Sequence, residues 1–490
     1  MDPGAIRYLH RSRFQTLKLI LRAYALGYLS STTPKVLSCL RHLRDNRLSN
    51  EDKLKELLQA LTSALRLESF PTFCALLIGG STLAPSVLLH CLEHACRKFK
   101  LNYNSVYAPQ LLRVVRFVSA FLCAWCSFRL LNKKPIRLQS IQPESGGCTS
   151  LQSPMEPPTN RESTSVSPQL VGRSLDLTLF SLTRAADSIV CMAWLQWQRR
   201  RKARNRWTWL EHVAPDFANS GVFAASAAVV MWAWFYMPER LPRSYEKWIG
   251  EVAEVDSRLI DALRRARRGV LVYGKDTGQA PLLQSMCKDY GWPLGWGDPS
   301  RTVPIPCEMV HMGCGPSCEK HAVSRFTRTF KLACATYIPL QVLLRLWKLK
   351  SMSSLKHALS TALRSSAFLA SFVSIFYYSV CLARTRLGPR LFSRDTITPL
   401  MWDSGLCVGA GCLMCGWSIL IESAQRRQEI AFFVAPRAAA TVLPRYYDKK
   451  YLYRERIVFA ISAAVLLTCT QESPEMVRGV FGRVAASILR

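Results

Sequence analysis

The residues of this chain best suited to chemistry stand together in CEMVHMGCGPSCEKH, where Cys307, His311, Cys314, Cys318 and His321 give the spacing C-x3-H-x2-C-x3-C-x2-H. Thiolates and imidazoles at such short intervals suit a tetrahedral zinc ion, four of the five closing a structural site. The spacing is not that of a standard zinc finger, and two other chemistries use the same residues. Cys314 and Cys318, four apart, could share a helical face as a redox pair or a disulfide. The segment could also be a plain structural cysteine turn. Most of the remaining cysteines are scattered through apolar segments, where a free thiol behaves as a small hydrophobe.

Two arginines form the second candidate. Arg184 lies in LFSLTRAADSIV and Arg437 in FFVAPRAAATVL, each in the middle of an apolar segment. A guanidinium at that depth in lipid costs at least ~2.5 kcal/mol unless it is paired or hydrated. The pair could line a polar path for a solute or bind lipid phosphate. Alternatively each snorkels or pairs locally, Arg184 with Asp187 and Arg437 with Glu429 or Glu422. No enzyme constellation accompanies them: the chain has no nucleophile elbow, no H-E-x-x-H and no nucleotide fingerprint, and GVLVYGKDTGQAP lacks the spacing of a phosphate loop. A non-catalytic protein is the expectation.

The elements that must position these residues are apolar helices. Lys and Arg total 65 against 33 acidic residues, a net charge of +32, yet 49% of the chain is hydrophobic. The basic excess falls between long uncharged runs rather than on a polar surface, which argues against a nucleic-acid partner and for membrane lipids. Residues 69–92, 366–383 and 404–421 contain no Asp, Glu, Lys or Arg. Runs of roughly 18 or more such residues are what a helix needs to cross the hydrocarbon layer. Residues 117–128, 333–344 and 457–469 are shorter apolar segments, ambiguous between membrane helix and buried core. Gly405, Gly409, Gly411 and Gly416 mark close helix packing, with Gly405 and Gly409 in a G-x-x-x-G arrangement. Eight to ten membrane-embedded helices are expected.

The chain also repeats itself. FAASAAVVMWAWFYMPE at 223 matches FAISAAVLLTCTQESPE at 459 without a gap, so that Phe223, Ala224, Ser226, Pro238 and Glu239 meet Phe459, Ala460, Ser462, Pro474 and Glu475. Upstream, LFSLTRAADSIV parallels FFVAPRAAATVL, FVSAFLCAWCSFRLL parallels the stretch around LCVGAGCLMCGWSILI, and LKELLQALTSALRLESF resembles LKHALSTALRSSAF. SRFQTLKLI at 12 resembles SRFTRTFKL at 324. Recurrence in one order predicts an all-α polytopic membrane protein built from two homologous halves of about five helices each, not a solenoid of short repeats. The expected division is 1–132 for the first three helices, 133–173 for a disordered Ser/Pro-rich linker, 174–250 for the fourth and fifth, 251–323 for an inter-half segment carrying the Cys/His motif, and 324–490 for the second half. Within 251–323, DSRLIDALRRARRG reads as an amphipathic helix that either lies on anionic lipid or packs on the membrane domain.

From about Trp248 onward, WIG…YGWPLGWGDPSRTVPIPCEMVHMGCGPSCEKHAVSRFTRTFKLACATYIPL, SSAFLASFVSIFYYSVCLAR and GWSILIESAQRRQEIAFFVAPRAAATVL resemble the transmembrane protein 135 family, in a form typical of fungi. Cys307, His311, Pro316, Ser317 and Cys318 match the cysteine-rich segment of that family. The first half matches less closely, with only MDPGAIRYLH before the first helix. The resemblance implies relatedness to peroxisomal membrane proteins and translocase-channel-like proteins, a peroxisomal or mitochondrial membrane, and a non-catalytic part in lipid and organelle-membrane homeostasis. A lipid or solute transporter using Arg184 and Arg437, a metal- or redox-sensing tether, and a homo-oligomer are the further expectations.

Overall fold

The computed structural model describes residues 13–43, 50–98, 109–133, 170–172, 174–345, 352–393, 395–444 and 447–489. Nearly all of the Ser/Pro-rich stretch 133–173 lies outside the described residues. The protein is all-α apart from one antiparallel pair, Leu170–Val171 with Tyr447–Asp448, in which Leu170 faces Asp448 and Val171 faces Tyr447. In chain order the helices of nine or more residues are α1 (Arg13–Leu43), α2 (Asn50–Ser63), α3 (Phe70–Lys98), α4 (Pro109–Leu131), α5 (Leu175–Ala203), α6 (Trp209–Tyr236), α7 (Arg243–Ala253), α8 (Ser257–Arg267), α9 (Ala280–Tyr290), α10 (Cys318–Arg345), α11 (Met352–Cys381), α12 (Cys407–Cys415), α13 (Ala424–Val442), α14 (Leu452–Glu472) and α15 (Gly479–Leu489).

Five helical stretches among the described residues are long and apolar enough to cross a membrane: Phe70–Lys98, Pro109–Leu131, Trp209–Tyr236, Met352–Leu391 and Pro399–Ile421. That is fewer than the eight to ten expected from sequence. Apart from Ser69, the three uncharged runs fall inside three of the five. The segment 117–128 belongs to α4, which reaches spanning length by continuing through Leu111, Leu112, Val114 and Val115 on one side and Leu130 and Leu131 on the other, despite Arg113, Arg116 and Arg129. Residues 333–344 and 457–469 belong to α10 and α14, which are long enough to span but not apolar enough.

The chain forms two compact units, residues 1–199 with 445–490, and residues 200–444. In the first, α1 packs on α3, α3 on α4, and α4 on α14. Small residues set these approaches: a Cβ on Gly27 would lie 2.9 Å from the Cα of Pro71, and one on Gly79 would lie 2.6 Å from Ile20. Phe73, Phe128 and Phe459 form the aromatic centre of this unit. Beside it, buried Glu455 accepts hydrogen bonds from Ser174 Oγ at 2.7 Å and Thr178 Oγ1 at 2.9 Å.

In the second unit α10 packs on α11, α11 on α12, and α6 on both α12 and α13. Thr208 and Glu211 form a reciprocal capping box that starts α6, satisfying two backbone donors that the first turn would leave open. Asp256 caps α8 by accepting from Arg258 N. The apolar face of α8 buries Leu259 and Ile260, while Arg264 donates to the Phe235 and Trp234 carbonyls at the end of α6. Arg267 stacks 4.7 Å from the Trp232 ring. This amphipathic helix therefore packs on the helical bundle of its own unit.

The closest backbone approach among the four glycines falls outside the G-x-x-x-G pair, although a Cβ on Gly405 would lie 2.8 Å from Arg267 Nη1 and 3.1 Å from the Trp232 ring. A Cβ on Gly409 would lie 3.6 Å from Trp232, an ordinary contact, whereas one on Gly416 would lie 2.5 Å from the Cα of Ala224. Backbone cannot step aside as a side chain can. Gly416→Ala should therefore cost about 1 to 3 kcal/mol through overpacking, seen as a fall in the apparent thermal midpoint of the purified protein, while Gly409→Ala should leave the midpoint nearly unchanged.

Candidate metal centre

Three elements of the second unit converge on one point. Cys307 opens a single helical turn, Cys307–Val310, and His311 follows one turn later on the same face. The chain then reverses through Met312, Gly313 and Gly315, all with positive φ (49°, 82° and 86°), a backbone path that glycine takes without steric cost. The reversal delivers Cys318 as the first residue of α10. The fourth group, Cys381, is the last residue of α11, directly before a π-helical turn at Leu382–Arg386.

The ligand atoms of Cys307, His311, Cys318 and Cys381 all lie within 4.8 Å of one another. His311 Nε2 is 3.4 Å from the sulfur of Cys307 and 3.4 Å from that of Cys381. Cys307 Sγ is 3.6 Å from Cys318 Sγ and 3.9 Å from Cys381 Sγ. With Zn–S near 2.3 Å and Zn–N near 2.05 Å, a tetrahedral ion sets S···S edges of about 3.8 Å and S···N edges of about 3.6 Å. Four of the six edges match those figures closely, and the other two lie within 4.8 Å. A disulfide needs sulfurs about 2.05 Å apart, and Cys307 Sγ is instead shared between two sulfurs and an imidazole.

The surroundings favour the ligating form of two of the four residues, His311 and Cys307. His311 Nδ1 donates to the Gly315 carbonyl at 2.7 Å, which puts the ring proton on Nδ1 and leaves Nε2 free to ligate. The hydrogen bond from Cys381, aided by His311, holds the Cys307 thiol far below its ordinary range, at about 4, against the opposing effect of burial. Thiolate is the form that binds metal. His311 and Cys318 are buried and Cys307 is half-buried, so the centre is closed, as structural rather than catalytic zinc sites are.

Two of the five residues proposed from spacing fall outside this set. The thiol of Cys314 turns to Ser324 Oγ at 3.6 Å. His321 is fully buried, its ring stacked 4.6 Å from that of His311 and edge-on to Tyr377 at 5.1 Å. Burial, with the neighbouring His311, pushes its pKa down to about 3, so it is a neutral aromatic wall of the centre. In the sequence Cys381 looks like one more apolar cysteine, and no local spacing marks it.

A buried ion pair braces the same two segments. Arg384, three residues beyond Cys381, donates to Asp403 Oδ2 at 2.8 Å, its Nε lies 2.5 Å from Asp403 Oδ1, and it also donates to the Ile305 carbonyl at 2.6 Å. Asp403, in a second π-helical turn at Trp402–Leu406, accepts from the Tyr273 hydroxyl at 2.5 Å, and that hydroxyl accepts from Ile305 N at 3.3 Å. π-Turns in membrane helices often accompany functional or strained positions.

The two candidate arginines have different settings. Arg184, in the first unit, is buried with Nη1 donating to the Arg478 carbonyl at 3.2 Å and its guanidinium 5.4 Å from the Phe180 ring. Asp187 binds Arg478. Arg437, in the second unit, is half-buried, donates to the Phe433 carbonyl at 2.5 Å and stacks 3.6 Å from the Phe433 ring. Glu422 instead accepts from Ser365 Oγ at 2.5 Å and lies 3.5 Å from Arg426. Comparison with protein-family models, curated proteins and solved structures gives no match to this chain.

Proposed function

We propose that this chain is a non-catalytic integral membrane protein whose second unit is locked by a Cys3His zinc centre formed by Cys307, His311, Cys318 and Cys381. The carrying observation is that four ligand atoms drawn from three separate elements lie within 4.8 Å of one another, four of their six edges being 3.4 to 3.9 Å. Zinc is favoured over harder cations because thiolates dominate the set. The ion ties the inter-half segment to the ends of α10 and α11, so it acts as a clamp rather than as a Lewis acid. A peroxisomal or mitochondrial membrane and a part in lipid homeostasis follow from the resemblance to the transmembrane protein 135 family, and we place the protein there on that ground.

Duplication of a five-helix half belongs to the same proposal. The packing order α1–α3–α4–α14 in the first unit parallels α10–α11–α12–α6 in the second. Each unit then holds four helices of one half and the fifth of the other. Phe223 of α6 lies 5.7 Å from Phe368 of α11, and its counterpart Phe459 of α14 lies 5.8 Å from Phe73 of α3. Where C-x-x-C aligns in the two halves, Gly416 corresponds to Ser127, and both are buried.

The full chain purified in detergent should carry a single zinc by elemental mass spectrometry. Cys381→Ser and Cys318→Ser should each reduce the zinc to background, while Cys314→Ser should leave it unchanged. Zinc lost on replacing Cys314 and retained on replacing Cys381 would return the centre to the spacing-based set and sink the one described here.

A further inference from the structure

The second unit holds a half-open apolar pocket of about 310 Å³ that the metal centre does not use. Its walls come from α6, α7, α10, α11 and α13, and Phe223, Met231, Phe368, Phe372 and Val434 make them apolar. Volume at the low end of the roughly 300 to 1,000 Å³ typical of ligand pockets suits one narrow guest rather than a two-chain lipid. One margin is built differently. Tyr245 and Trp248 stack there with ring centroids 6.0 Å apart and planes 6° from parallel, and Trp248 is 45% exposed. Arg437 lies over two of the lining rings, 3.6 Å from Phe433 and 5.9 Å from Tyr245. Among the described residues no carboxylate pairs with it, and it donates a hydrogen bond to the Phe433 carbonyl.

An apolar pocket whose wall rings carry a guanidinium with no carboxylate partner among the described residues has a defined complement. We infer that this cavity binds a single-chain anionic amphiphile, the alkyl chain lying along Phe223, Phe368 and Phe372 and the head group on Arg437. Burial of the chain supplies the driving force in proportion to apolar area removed from water. The guanidinium supplies selection for carboxylate or phosphate, which it binds through paired N–H donors. Tyr245 and Trp248 suit the boundary between chain and head group, one end of each ring system apolar and the other polar. This site is independent of the zinc reading, since none of the four ligands lines it.

The test uses the detergent-purified full chain with palmitate carrying a photoreactive diazirine on the alkyl chain, and with lysophosphatidic acid and hexadecanol as competitors. Cross-links are expected on peptides of α6, α11 and α13. Arg437→Gln should weaken palmitate by about tenfold, the worth of a charged hydrogen-bonded contact, and leave hexadecanol within about twofold. Phe372→Trp should fill the chamber and abolish both; Leu369→Trp serves the same end if the first variant aggregates on size exclusion. Whichever of palmitate and lysophosphatidic acid competes better identifies carboxylate or phosphate as the head group. Cross-links confined to other helices, or palmitate binding unchanged in Arg437→Gln, would overturn the proposal. Zinc content is measured on the same samples, so failure here and failure of the metal centre are read separately.

Discussion

Removing the metal from the purified protein with a strong chelator at neutral pH should lower the apparent thermal midpoint of the second unit by about 10 to 20 °C. Structural zinc supplies on the order of 10 kcal/mol in small peptides that have no other core. Here the apolar core around Phe235, Phe376 and Val408 persists without it, so about 5 kcal/mol is the better expectation. At roughly 2 to 4 °C per kcal/mol for a unit of this size, that gives the stated fall. Zinc should restore the midpoint, and magnesium, which requires oxygen ligands, should not. Cys307→Ser should reproduce the chelated midpoint and be insensitive to further chelation. Differential scanning of intrinsic fluorescence follows all of these, and a midpoint unmoved by chelation would show that no ion holds the segment.

Breaking the buried ion pair should cost nearly as much. Asp403→Ala leaves the Arg384 guanidinium, whose side chain is only 4% exposed, without its counter-charge, and strips the Tyr273 hydroxyl of its acceptor. Loss of one partner from a buried pair typically costs about 3 to 5 kcal/mol, because the remaining charge is stranded rather than because the pair itself is strongly favourable. Replacing both, as Arg384→Met with Asp403→Leu, should recover most of that loss. The double-mutant cycle measured by thermal unfolding then gives a coupling energy of several kcal/mol. Additive losses would mean that the two side chains do not share one buried site. The Ile305 carbonyl bonded to Arg384 is two residues from Cys307, so Asp403→Ala should also weaken zinc retention.

The sequence makes the helices legible because lipid-compatible runs need no partner to be recognised. Residues 366–383 and 404–421 read as apolar from composition alone, and both lie within candidate spans. α4 was underestimated because Arg113 and Arg116 interrupt the run near its start, although Arg113 and Arg116 reach Glu472 by ion pairs. The fate of the last helices was not legible: α14 joins the first unit and α6 the second, a choice made by packing that like sequences such as FAASAAVV and FAISAAVL cannot announce.

The site was legible where its geometry is local. Cys307, His311 and Cys318 are brought together by one short turn, and spacing predicts such a turn. Cys381 reaches them only because α10 and α11 pack side by side, so its neighbours in sequence are aromatic and aliphatic residues that say nothing of metal. Cys314 and His321 have suitable spacing and the wrong direction, since the positive-φ turn at Gly313 and Gly315 aims the first at Ser324 and the helix start stacks the second against His311. Arg384 and Asp403 were invisible for the opposite reason: each looks like an isolated charge at the end of an apolar run until the two π-turns bring them into contact.

The zinc K-edge absorption spectrum of the full chain in detergent examines the metal centre most directly. Three sulfur scatterers near 2.3 Å and one nitrogen near 2.05 Å are predicted, falling to two sulfurs in any Cys381→Ser protein that retains metal. A first shell of two sulfurs and two nitrogens in the unaltered chain would place His321 on the ion and contradict the centre described, as would protein that binds no zinc at all.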